Sequence, residues 1–384
     1  MKALNGLEKV RKIKRNIVRN NTNRHGWETS RKLVVIESDD WGSIRMPSKE
    51  ILMELTSLGD NASDDPFYRY DCLESERDLS LLMDLMSEFK DIKGRTPVLT
   101  MNYAMANPDF ERIKDSDYNE YHFEPFTRTY QRYPEHKKSF EILKNGIDGG
   151  VFYPQLHCRE HLNVNRWMRD LSAGKDDVKL AFKYNMISVG RSTTQDNEYA
   201  YMDSFNYDSK DELIRLDEIV REGAELFYRT FGYVSESFIA SCYIWDENLE
   251  EVMSKLDIRY LQGGRFQLKP GMAKGSTKLE KIDHYIGEKN QFGQHYLIRN
   301  CKFEPSWRED HDWVENCLLD MESAFKWNKP ATISTHRLNY MGFINENNRD
   351  KNLELFHKLI SRAIKKWPDI EFLSSVELGE LLRG

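Results

Sequence analysis

The feature that most constrains the fold is the stretch at residues 33–42, L-V-V-I-E-S-D-D-W-G. Four apolar residues, three of them β-branched, lead towards two adjacent carboxylates, an aromatic residue and a glycine. An apolar run of this kind predicts a buried strand of a parallel sheet. Asp39 and Asp40 then lie at its carboxyl end, the edge where parallel α/β folds place their chemistry.

The two aspartates pose a geometric problem. Adjacent side chains of a regular strand point to opposite faces of the sheet, so both cannot reach one cavity. A bend of the strand, which Gly42 would permit, would bring both to one site. The alternative is that the pair only caps the following turn.

Length and composition indicate a large globular protein. The chain has 384 residues, 39% of them hydrophobic, which is ample for a large core and unlike a disordered protein. Strand and helix patterns alternate over residues 31–384 without a repeat or a linker, which predicts one (β/α) barrel-like domain. The net charge of −7 argues against a nucleic-acid partner.

Residues 1–30 form a basic arm that differs from the rest of the chain. It lacks the apolar core of a secretory signal, and no window of the sequence is apolar enough for a membrane span. The pattern predicts a solvated helix over 4–19, with a contact to an anionic membrane surface or an acidic partner as the weaker alternative. Its basic residues are Lys9, Arg11, Lys12, Lys14, Arg15, Arg19 and Arg24.

The cysteines indicate a reducing compartment. Their number, five, is odd, and none forms a C-x-x-C pair, so we expect free thiols rather than a disulfide framework or a zinc ribbon. With no targeting segment, the expected location is the cytoplasm.

Further elements follow from periodicity and turn residues. We expect a long functional loop at 106–134 and an exposed hairpin or loop at 263–290. Strands are predicted at 96–103, 151–156, 236–243, 258–261, 296–303, 330–335 and 370–373. Helices are predicted at 75–90, 136–146, 165–184 with a break at 173–174, 211–231, 246–256, 310–327, 348–367 and from 375.

His157 and His161 are four positions apart in the sequence, just after a predicted strand. On a helical turn this spacing stacks both imidazoles on one face, close enough for one metal ion. A carboxylate from Asp39 or Asp40 would complete a two-His, one-Asp set typical of catalytic zinc. Such an ion lowers the pKa of bound water towards 7, and the second aspartate is then free to accept the proton.

The same residues fit a second signature. H-x-x-E-H is the inverted zinc-peptidase motif, with Glu160 as general base. That motif needs a helix through both histidines, whereas Pro154 and the preceding pattern favour a strand. We therefore expect Glu160 to face solvent or to pair with Arg159 or Arg166.

His336 follows A-T-I-S-T, another apolar strand pattern. It is interpreted either as a structural histidine at the rim of the barrel or as a general acid that protonates a leaving group near neutral pH.

The order of these parts resembles the polysaccharide deacetylase (NodB-homology, carbohydrate esterase family 4-like) family over about residues 31–381. E-S-D-D-W-G is similar to the family's T-F-D-D-G, and H-C-R-E-H-L to its H-(S/T)-x-x-H-P. A-S-C-Y is similar to R-x-P-Y, and S-T-H to L-x-H. The resemblance implies a distorted (β/α)7 barrel and a metal-dependent carbohydrate esterase.

Site roles also follow from the resemblance. Asp39 takes the position of the catalytic base, and Asp40, His157 and His161 those of the metal ligands. The backbone N–H of Tyr243 would form the oxyanion hole.

The resemblance assigns the remaining role, that of the acid, to His336. Three further residues of this sequence depart from the family pattern: Leu162 for proline, Ala240 for the arginine that orients the base, and Arg337 where an aspartate is frequent.

A fourth departure is Trp41, inserted before the glycine; Trp41, Arg45 and Trp307 are the candidate substrate-binding residues. Asp310 is interpreted either as the group that orients the acid or as a helix cap.

Together these features predict a metal-dependent deacetylase for an N- or O-acetylated sugar, with Zn²⁺, or else Co²⁺ or Ni²⁺. An intracellular glycan precursor or glycolipid intermediate is the expected substrate. The alternatives are another metal-dependent hydrolase of amides or glycosides on the same barrel, and a non-catalytic carbohydrate-binding relative.

Overall fold

The computed structural model describes residues 2–58, 64–189, 200–270 and 279–384. The fold is mixed α/β, as predicted. Its helices are α1 (Lys2–Asn23), α2 (Lys49–Ser57), α3 (Pro66–Arg69), α4 (Glu76–Ser87), α5 (Phe110–Asp115), α6 (Phe126–Arg132), α7 (Ser139–Asp148), α8 (Val164–Ser172), α9 (Asp176–Lys183), α10 (Lys210–Phe231), α11 (Glu247–Lys255), α12 (Trp313–Lys326), α13 (Glu346–Lys366) and α14 (Ser375–Arg383). Its strands are β1 (Lys32–Trp41), β2 (Leu99–Ala104), β3 (Ala106–Pro108), β4 (Phe123–Pro125), β5 (Phe152–Cys158), β6 (Ser237–Ile239), β7 (Tyr260–Gly263), β8 (Phe266–Lys269), β9 (Glu280–Asp283), β10 (His295–Ile298), β11 (Cys301–Lys302), β12 (Ala331–His336) and β13 (Ile370–Leu373).

A parallel sheet with the strand order β10-β7-β6-β5-β2-β1-β12-β11 forms the centre, and β13 pairs with β1 beside this path. Only Arg299 and Asn300 separate β10 from β11. The backbone N–H of Arg299 donates to Gly263, and that of Asn300 to Thr332, so one segment contacts both edges of the sheet. The sheet therefore curls until its edges meet, although a count of seven strand–helix units is not confirmed.

Strand β1 lies in the middle of this sheet because its apolar run is covered on both faces. Leu33, Val34, Val35 and Ile36 are all buried and belong to the main hydrophobic core. Its neighbours are β2 and β12, both parallel to it. The carboxyl ends of β1, β5, β6 and β12 consequently meet at one end of the sheet, where the sequence predicts the site.

Two predicted loops contain regular structure. Residues 106–134 fold into β3, α5, β4 and α6, with β3 and β4 paired antiparallel, so this insertion is not the long loop that we expected, while its functional role stays a prediction. In 263–290, β8 and β9 form the predicted hairpin, and residues 271–278 lie outside the described residues.

The helix of the amino-terminal arm is longer than the predicted 4–19 and less solvated than expected. Helix α1 continues to Asn23, and the buried guanidinium of Arg19 pairs with Asp320 of α12. Asn23 also accepts a hydrogen bond from Asn300 at 2.8 Å. The side chains of Lys9, Arg11 and Lys12 lie outside the described residues. Among the described residues, no helix has the length and apolar character needed to cross a bilayer.

Two helices begin differently from the prediction. Helix α10, predicted to begin at residue 211, begins at Lys210 and is capped by Ser209, whose hydroxyl accepts the N–H of Glu212. Asp312 rather than Asp310 caps α12. In both cases a neighbouring polar residue of the same turn provides the cap. All five cysteines have free thiols, as expected.

Candidate metal and acid–base site

Asp39 and Asp40 line one cavity of about 360 Å³ at the carboxyl end of the sheet. The bend that brings them together begins at Asp40 itself, which has a left-handed φ of 75°. The register between β1 and β2 shifts between Ser38 and Trp41, which breaks the alternation of side chains. The predicted bend is therefore confirmed, and Gly42, with a φ of 77°, completes it.

Gly42 is required for a second reason. A Cβ atom at this position would lie 2.5 Å from the carbonyl oxygen of Ala104 on β2. The N–H of Gly42 donates to the carboxylate of Glu74 at 3.0 Å, which fixes the chain after the bend. The bend thus depends on a residue without a side chain.

Asp40, His157 and His161 form a buried group whose candidate ligand atoms all lie within 4.8 Å of one another. The Nε2 atom of His161 is 3.2 Å from Oδ1 of Asp40, and that of His157 is 3.5 Å from the same oxygen. Of the two adjacent aspartates, Asp40 is the one that meets the histidines.

The route by which the histidines meet differs from the prediction. His157 lies on β5, and residues 159–162 form no helix, so the predicted helical turn is wrong. The chain turns after Cys158, where Met105 and Ala106 of the neighbouring strands donate to the carbonyls of Cys158 and Arg159. The turn still places the two imidazole centroids 4.9 Å apart.

The chemistry of this donor set fits a divalent metal ion. Nδ1 of His157 lies 2.8 Å from the carbonyl oxygen of Ile239, and because a carbonyl only accepts, Nδ1 carries the proton. In the neutral ring Nε2 then presents a lone pair, and this buried atom has no hydrogen-bond partner among the described residues. Burial, only partly opposed by Asp40, lowers the pKa of His161 to about 4.

Asp40 completes the set as an anion. Burial would raise its pKa, but His161, His157 and Arg45 hold the pKa well below its ordinary value. A carboxylate and two imidazole nitrogens thus face one another in a buried space, which is the ligand set of a catalytic Zn²⁺ site with open positions.

Asp39 is held by an arginine that the sequence did not predict. Arg299 donates to both oxygens of Asp39, at 2.7 Å from Nη2 to Oδ1, and Asn102 donates to Oδ1 at 2.8 Å. Arg299 also binds Glu37, two residues earlier on the same face of β1, at 2.6 Å. Burial would raise the pKa of Asp39, but Arg299 lowers it to about 2.

The contact between Arg299 and Asp39 compensates for Ala240, which stands where the family pattern has an arginine. Ala240 is buried and lines the cavity, as its position in the resemblance implies, but it carries no charge. Arg299, from the segment that joins β10 to β11, provides the guanidinium for Asp39 instead. No local pattern could have indicated it, because the two residues are 260 positions apart.

His336 lies at the end of β12, as predicted, with Nε2 at 3.9 Å from Oδ2 of Asp39. Its Nδ1 is 2.6 Å from Oε1 of the fully buried Glu304, whose other oxygen accepts from Asn339 at 2.8 Å. Burial would lower the pKa of His336, but Glu304, Asp40 and Asp39 raise it to about 9. The imidazole is therefore protonated at neutral pH.

Asp310 does not orient His336, as one of its interpretations required. Its side chain is 78% exposed and pairs with Arg308. Glu304 takes this position because it lies immediately after β11, beside the end of β12. Neither interpretation of Asp310 is correct.

The three predicted substrate-binding residues occupy different places. Trp41 is fully buried in the core, where its indole N–H donates to Ser38 at 3.0 Å, so its prediction is wrong. The register shift in β1 turns Trp41 inward, which a strand pattern alone cannot indicate. Arg45 and Trp307 both line the cavity.

An aromatic wall surrounds His336. The ring centroids of Phe67 and Trp307 lie 5.5 Å and 5.6 Å from that of His336, and the two rings are 6.0 Å apart. Sequence patterns gave no indication of Phe67, which lies on the short helix α3. Flat apolar faces beside a proton donor are typical of sites for ring-shaped ligands.

Arg45 and Arg337 belong to a buried ionic network behind the metal ligands. Arg45 lies 3.5 Å from Asp40 and 3.5 Å from Asp71. Arg337 pairs with Asp71 at 2.9 Å and with Glu74 at 2.8 Å. Arg337, one of the departures from the family pattern, is therefore a structural cation beside the site. Leu162, another departure, packs in a hydrophobic cluster separate from the main core.

Tyr243 follows β6 in a tight turn, and both Cys242 and Tyr243 have positive φ angles of 57° and 58°. The strand predicted at 236–243 therefore ends early, at Ile239. The N–H of Tyr243 donates to the carbonyl of Ala240 at 3.1 Å. An oxyanion role would require this bond to exchange for one to the substrate.

Glu160 does not approach the metal ligands as a peptidase base would. It is buried, binds Arg159 at 2.7 Å and accepts a hydrogen bond from Tyr121 at 2.9 Å. Of the expected alternatives, the pairing with Arg159 is confirmed and solvent exposure is wrong. The helix that the inverted peptidase motif requires does not run through the two histidines, so the structure does not support the peptidase interpretation.

No protein-family model matches the chain, and no curated protein matches it significantly. Several similar solved structures are named as polysaccharide deacetylases. One from Mycobacterium smegmatis is 10% identical, with a TM-score of 0.45, over 94% of this chain and 93% of its own.

Two others have different names. A protein named as a glycoside hydrolase/deacetylase from Parabacteroides distasonis is 9% identical, with a TM-score of 0.48, over 93% of this chain and 72% of its own. An allantoinase is 10% identical, with a TM-score of 0.45, over 92% of this chain and 91% of its own. At such identities and scores, the evidence for an activity is the site itself.

Proposed function

We propose that this protein is a metal-dependent hydrolase that removes an acetyl group from an N- or O-acetylated sugar. The observation that carries the proposal is the convergence in one cavity of a metal-ligand set and an acid–base pair. An ionised Asp39 and a protonated His336 lie next to each other and beside Asp40, His157 and His161. This combination serves the hydrolysis of an amide or ester bond.

In the proposed site, Asp40, His157 and His161 hold a divalent ion, Zn²⁺ by preference, with Co²⁺ and Ni²⁺ as alternatives. When bound, the metal supplies Lewis-acid activation of water and of an acyl carbonyl. Arg45 lies 3.5 Å from Oδ2 of Asp40, the oxygen that the imidazoles do not approach, and helps to position this ligand.

The protein's own residues then handle the protons. Asp39, kept ionised by Arg299, accepts the proton of the attacking water. His336, kept protonated by Glu304, donates to the departing amine or alcohol. Both groups hold the required protonation state over the range between their pKa values of about 2 and about 9.

Substrate binding is assigned to the wall of the cavity. Trp307 and Phe67 offer ring faces to a sugar, and Tyr243 lines the same cavity. We keep the Tyr243 N–H as the proposed oxyanion donor, with the condition that its turn opens. The proposed substrate is an intracellular glycan precursor, and the proposed location of the protein is the cytoplasm.

The alternatives fit the site less well. A glycosidase needs two carboxyl groups flanking the bond, and here the proposed acid is an imidazole. A non-catalytic relative would have no use for neighbouring groups held in opposite protonation states. An amide hydrolase with another substrate would use the same groups, so only substrate tests distinguish it from a deacetylase.

The test begins with metal content. Wild type and a His157→Ala, His161→Ala double variant are purified without added metal and examined by elemental analysis. The control is His25→Ala, His357→Ala, which removes two exposed histidines. We expect about one ion per chain in wild type and control, and none in the double variant.

The second step measures acetate release from a panel of N- and O-acetylated sugars. We expect activity in the metal-loaded wild type and a loss of at least a hundredfold in Asp39→Asn and His336→Gln, since a general acid or base contributes about 10²–10⁴-fold. A wild type that binds no metal after reconstitution would refute the proposal. A metal-loaded wild type that releases no acetate would refute the deacetylase reaction and leave a metal site.

A further inference from the structure

A second cavity, of about 520 Å³, adjoins the catalytic one. Tyr243, Lys302 and Ser334 line both. Its opposite wall is helix α1, which has no part in the proposed reaction. The sequence singled out this helix for its basic residues, and no role has yet been found for them.

Cations dominate the lining of this second cavity. One carboxylate, Asp320, faces six basic side chains: Lys14, Arg15, Arg19, Arg299, Lys302 and Arg308. A concave surface with such an excess of one charge concentrates ligands of the opposite charge.

Three of these cations already have carboxylate partners. Arg19 pairs with Asp320, Arg299 with the carboxylates of β1, and Arg308 with Asp310. They define the wall but provide little free charge for a ligand.

The other three are available. Lys14, Arg15 and Lys302 form no ion pair with any residue of the described parts of the chain. The ammonium of Lys302 lies 3.9 Å from the centre of the Trp307 ring, at the boundary between the two cavities. Desolvation lowers the pKa of Lys302, although Glu304 and Asp320 oppose the shift.

We propose that the second cavity is a phosphate-binding subsite, and that the substrate is an acetylated sugar that carries a phosphate or diphosphate group. This inference rests on the proposed function, since it places the acetylated ring in the catalytic cavity. A neutral sugar makes no use of three unpaired cations, whereas phosphate oxygens form charge-assisted hydrogen bonds with lysine and arginine. Lys302 lies where the sugar would join its phosphate.

Helix α1 indicates one source of such a phosphate. Val10, Ile13 and Ile17 follow one another along a single face and are 50%, 51% and 54% exposed. The opposite face, with Arg19, packs on α12. A helix that turns apolar residues outward beside basic ones is suited to a membrane surface, where the phosphate of a lipid-linked sugar would be found. A soluble sugar phosphate shares the same chemistry at the subsite.

The first test measures binding without any reaction. Inorganic pyrophosphate is titrated by calorimetry into the full-length protein after EDTA treatment, which removes metal from the other cavity. We expect saturable binding in wild type and at least tenfold weaker binding in Lys14→Gln, Arg15→Gln, because both substitutions remove charge-assisted hydrogen bonds to the phosphate oxygens. The control, Lys358→Gln, Lys365→Gln, removes two exposed cations from α13 and should bind like wild type.

Absence of binding in wild type, or equal weakening in the control, would overturn the subsite. Since metal is absent, the result stands whether or not the protein is a deacetylase. In the metal-loaded protein, kcat/KM for acetate release from N-acetylglucosamine 1-phosphate should fall at least tenfold in the Lys14 and Arg15 variant and not in the control.

Vesicles separate the two sources of phosphate. We measure co-sedimentation with phosphatidylcholine vesicles that contain phosphatidylglycerol. Vesicle binding that pyrophosphate displaces supports a lipid-borne phosphate, and pyrophosphate binding without vesicle binding supports a soluble one. Vesicle binding that pyrophosphate does not displace, in a protein that fails to bind pyrophosphate, would overturn the subsite and assign the cations to a membrane surface.

Discussion

Replacing Glu304 with glutamine should change the protonation state of His336 while leaving the shape of the site intact. Glutamine has nearly the same volume as glutamate, and its carbonyl oxygen can still accept the hydrogen bond that Asn339 donates at 2.8 Å. What disappears is the negative charge beside Nδ1 of His336. The amide then donates to Nδ1, which favours the neutral imidazole.

The size of the effect follows from the balance at His336. Burial lowers its pKa, and the neighbouring carboxylates, Glu304 above all, raise it to about 9 from an ordinary value of 6.5. That difference corresponds to about 3 kcal/mol in favour of the imidazolium. Without Glu304 the burial cost is unchanged, so we expect the pKa to fall below about 7.

The raised pKa of His336 makes the stability of the protein depend on pH. Because the pKa is raised on folding, the stabilisation by His336 is fully present below pH 6.5 and is lost as the pH rises through 9. In Glu304→Gln this dependence between pH 6.5 and 9 should largely vanish. Urea denaturation at pH 6 and pH 9 measures it.

NMR titration of the protein labelled with ¹⁵N-histidine follows the ionisation directly, and His336→Gln assigns the resonance among the ten histidines. Activity, once a substrate is found, should lose its alkaline side about two pH units earlier in Glu304→Gln. Glu354→Gln, an exposed change on α13, is the control. A His336 that titrates near 6.5 in wild type, or near 9 in Glu304→Gln, would refute the reasoning.

Three further predictions concern the bend, the buried arginine and the metal. Gly42→Ala should destabilise the protein by more than about 2 kcal/mol, and Gly94→Ala, with the same φ of 77° but no atom within 4 Å, by only about 1; equal losses in urea denaturation would contradict the close approach. Arg299→Met should cost about 3–5 kcal/mol at pH 7 because it removes the buried guanidinium that pairs with Asp39 and Glu37, and less at pH 4, where carboxylates protonate; a cost that does not depend on pH would contradict this. EDTA should lower the Tm of wild type by a few degrees and Zn²⁺ should restore it, as expected for about 3 kcal/mol of binding energy, whereas the double histidine variant should respond to neither.

The elements that the sequence predicts well are those with a local cause. The apolar runs of β1, β5 and β12 each end in a polar residue, and this pattern alone places Asp40, His157 and His336 at one edge of the sheet. Periodicity likewise predicts α10 and α13 within about two residues, since each buries one face along its length.

The groups that tune the site have no local cause and could not be predicted. Arg299 and Glu304 act on Asp39 and His336 only because the sheet curls and brings its last segment beside β1 and β12. The prediction that Trp41 binds substrate is wrong for a related reason: a strand pattern does not show that a register shift turns the residue after Asp40 into the core.

The two groups missed by sequence reasoning explain how the proposed acid and base can work as a pair. Arg299 and Glu304 belong to one short stretch of chain, so a single segment keeps Asp39 ionised and His336 protonated. In the proposed reaction Asp39 gains a proton and His336 loses one, which leaves both in the wrong state for the next cycle. Their separation of 3.9 Å is within reach of one bridging water or a small side-chain rotation. The proton gained by Asp39 can therefore return to His336 inside the cavity, because Arg299 favours its departure and Glu304 favours its arrival.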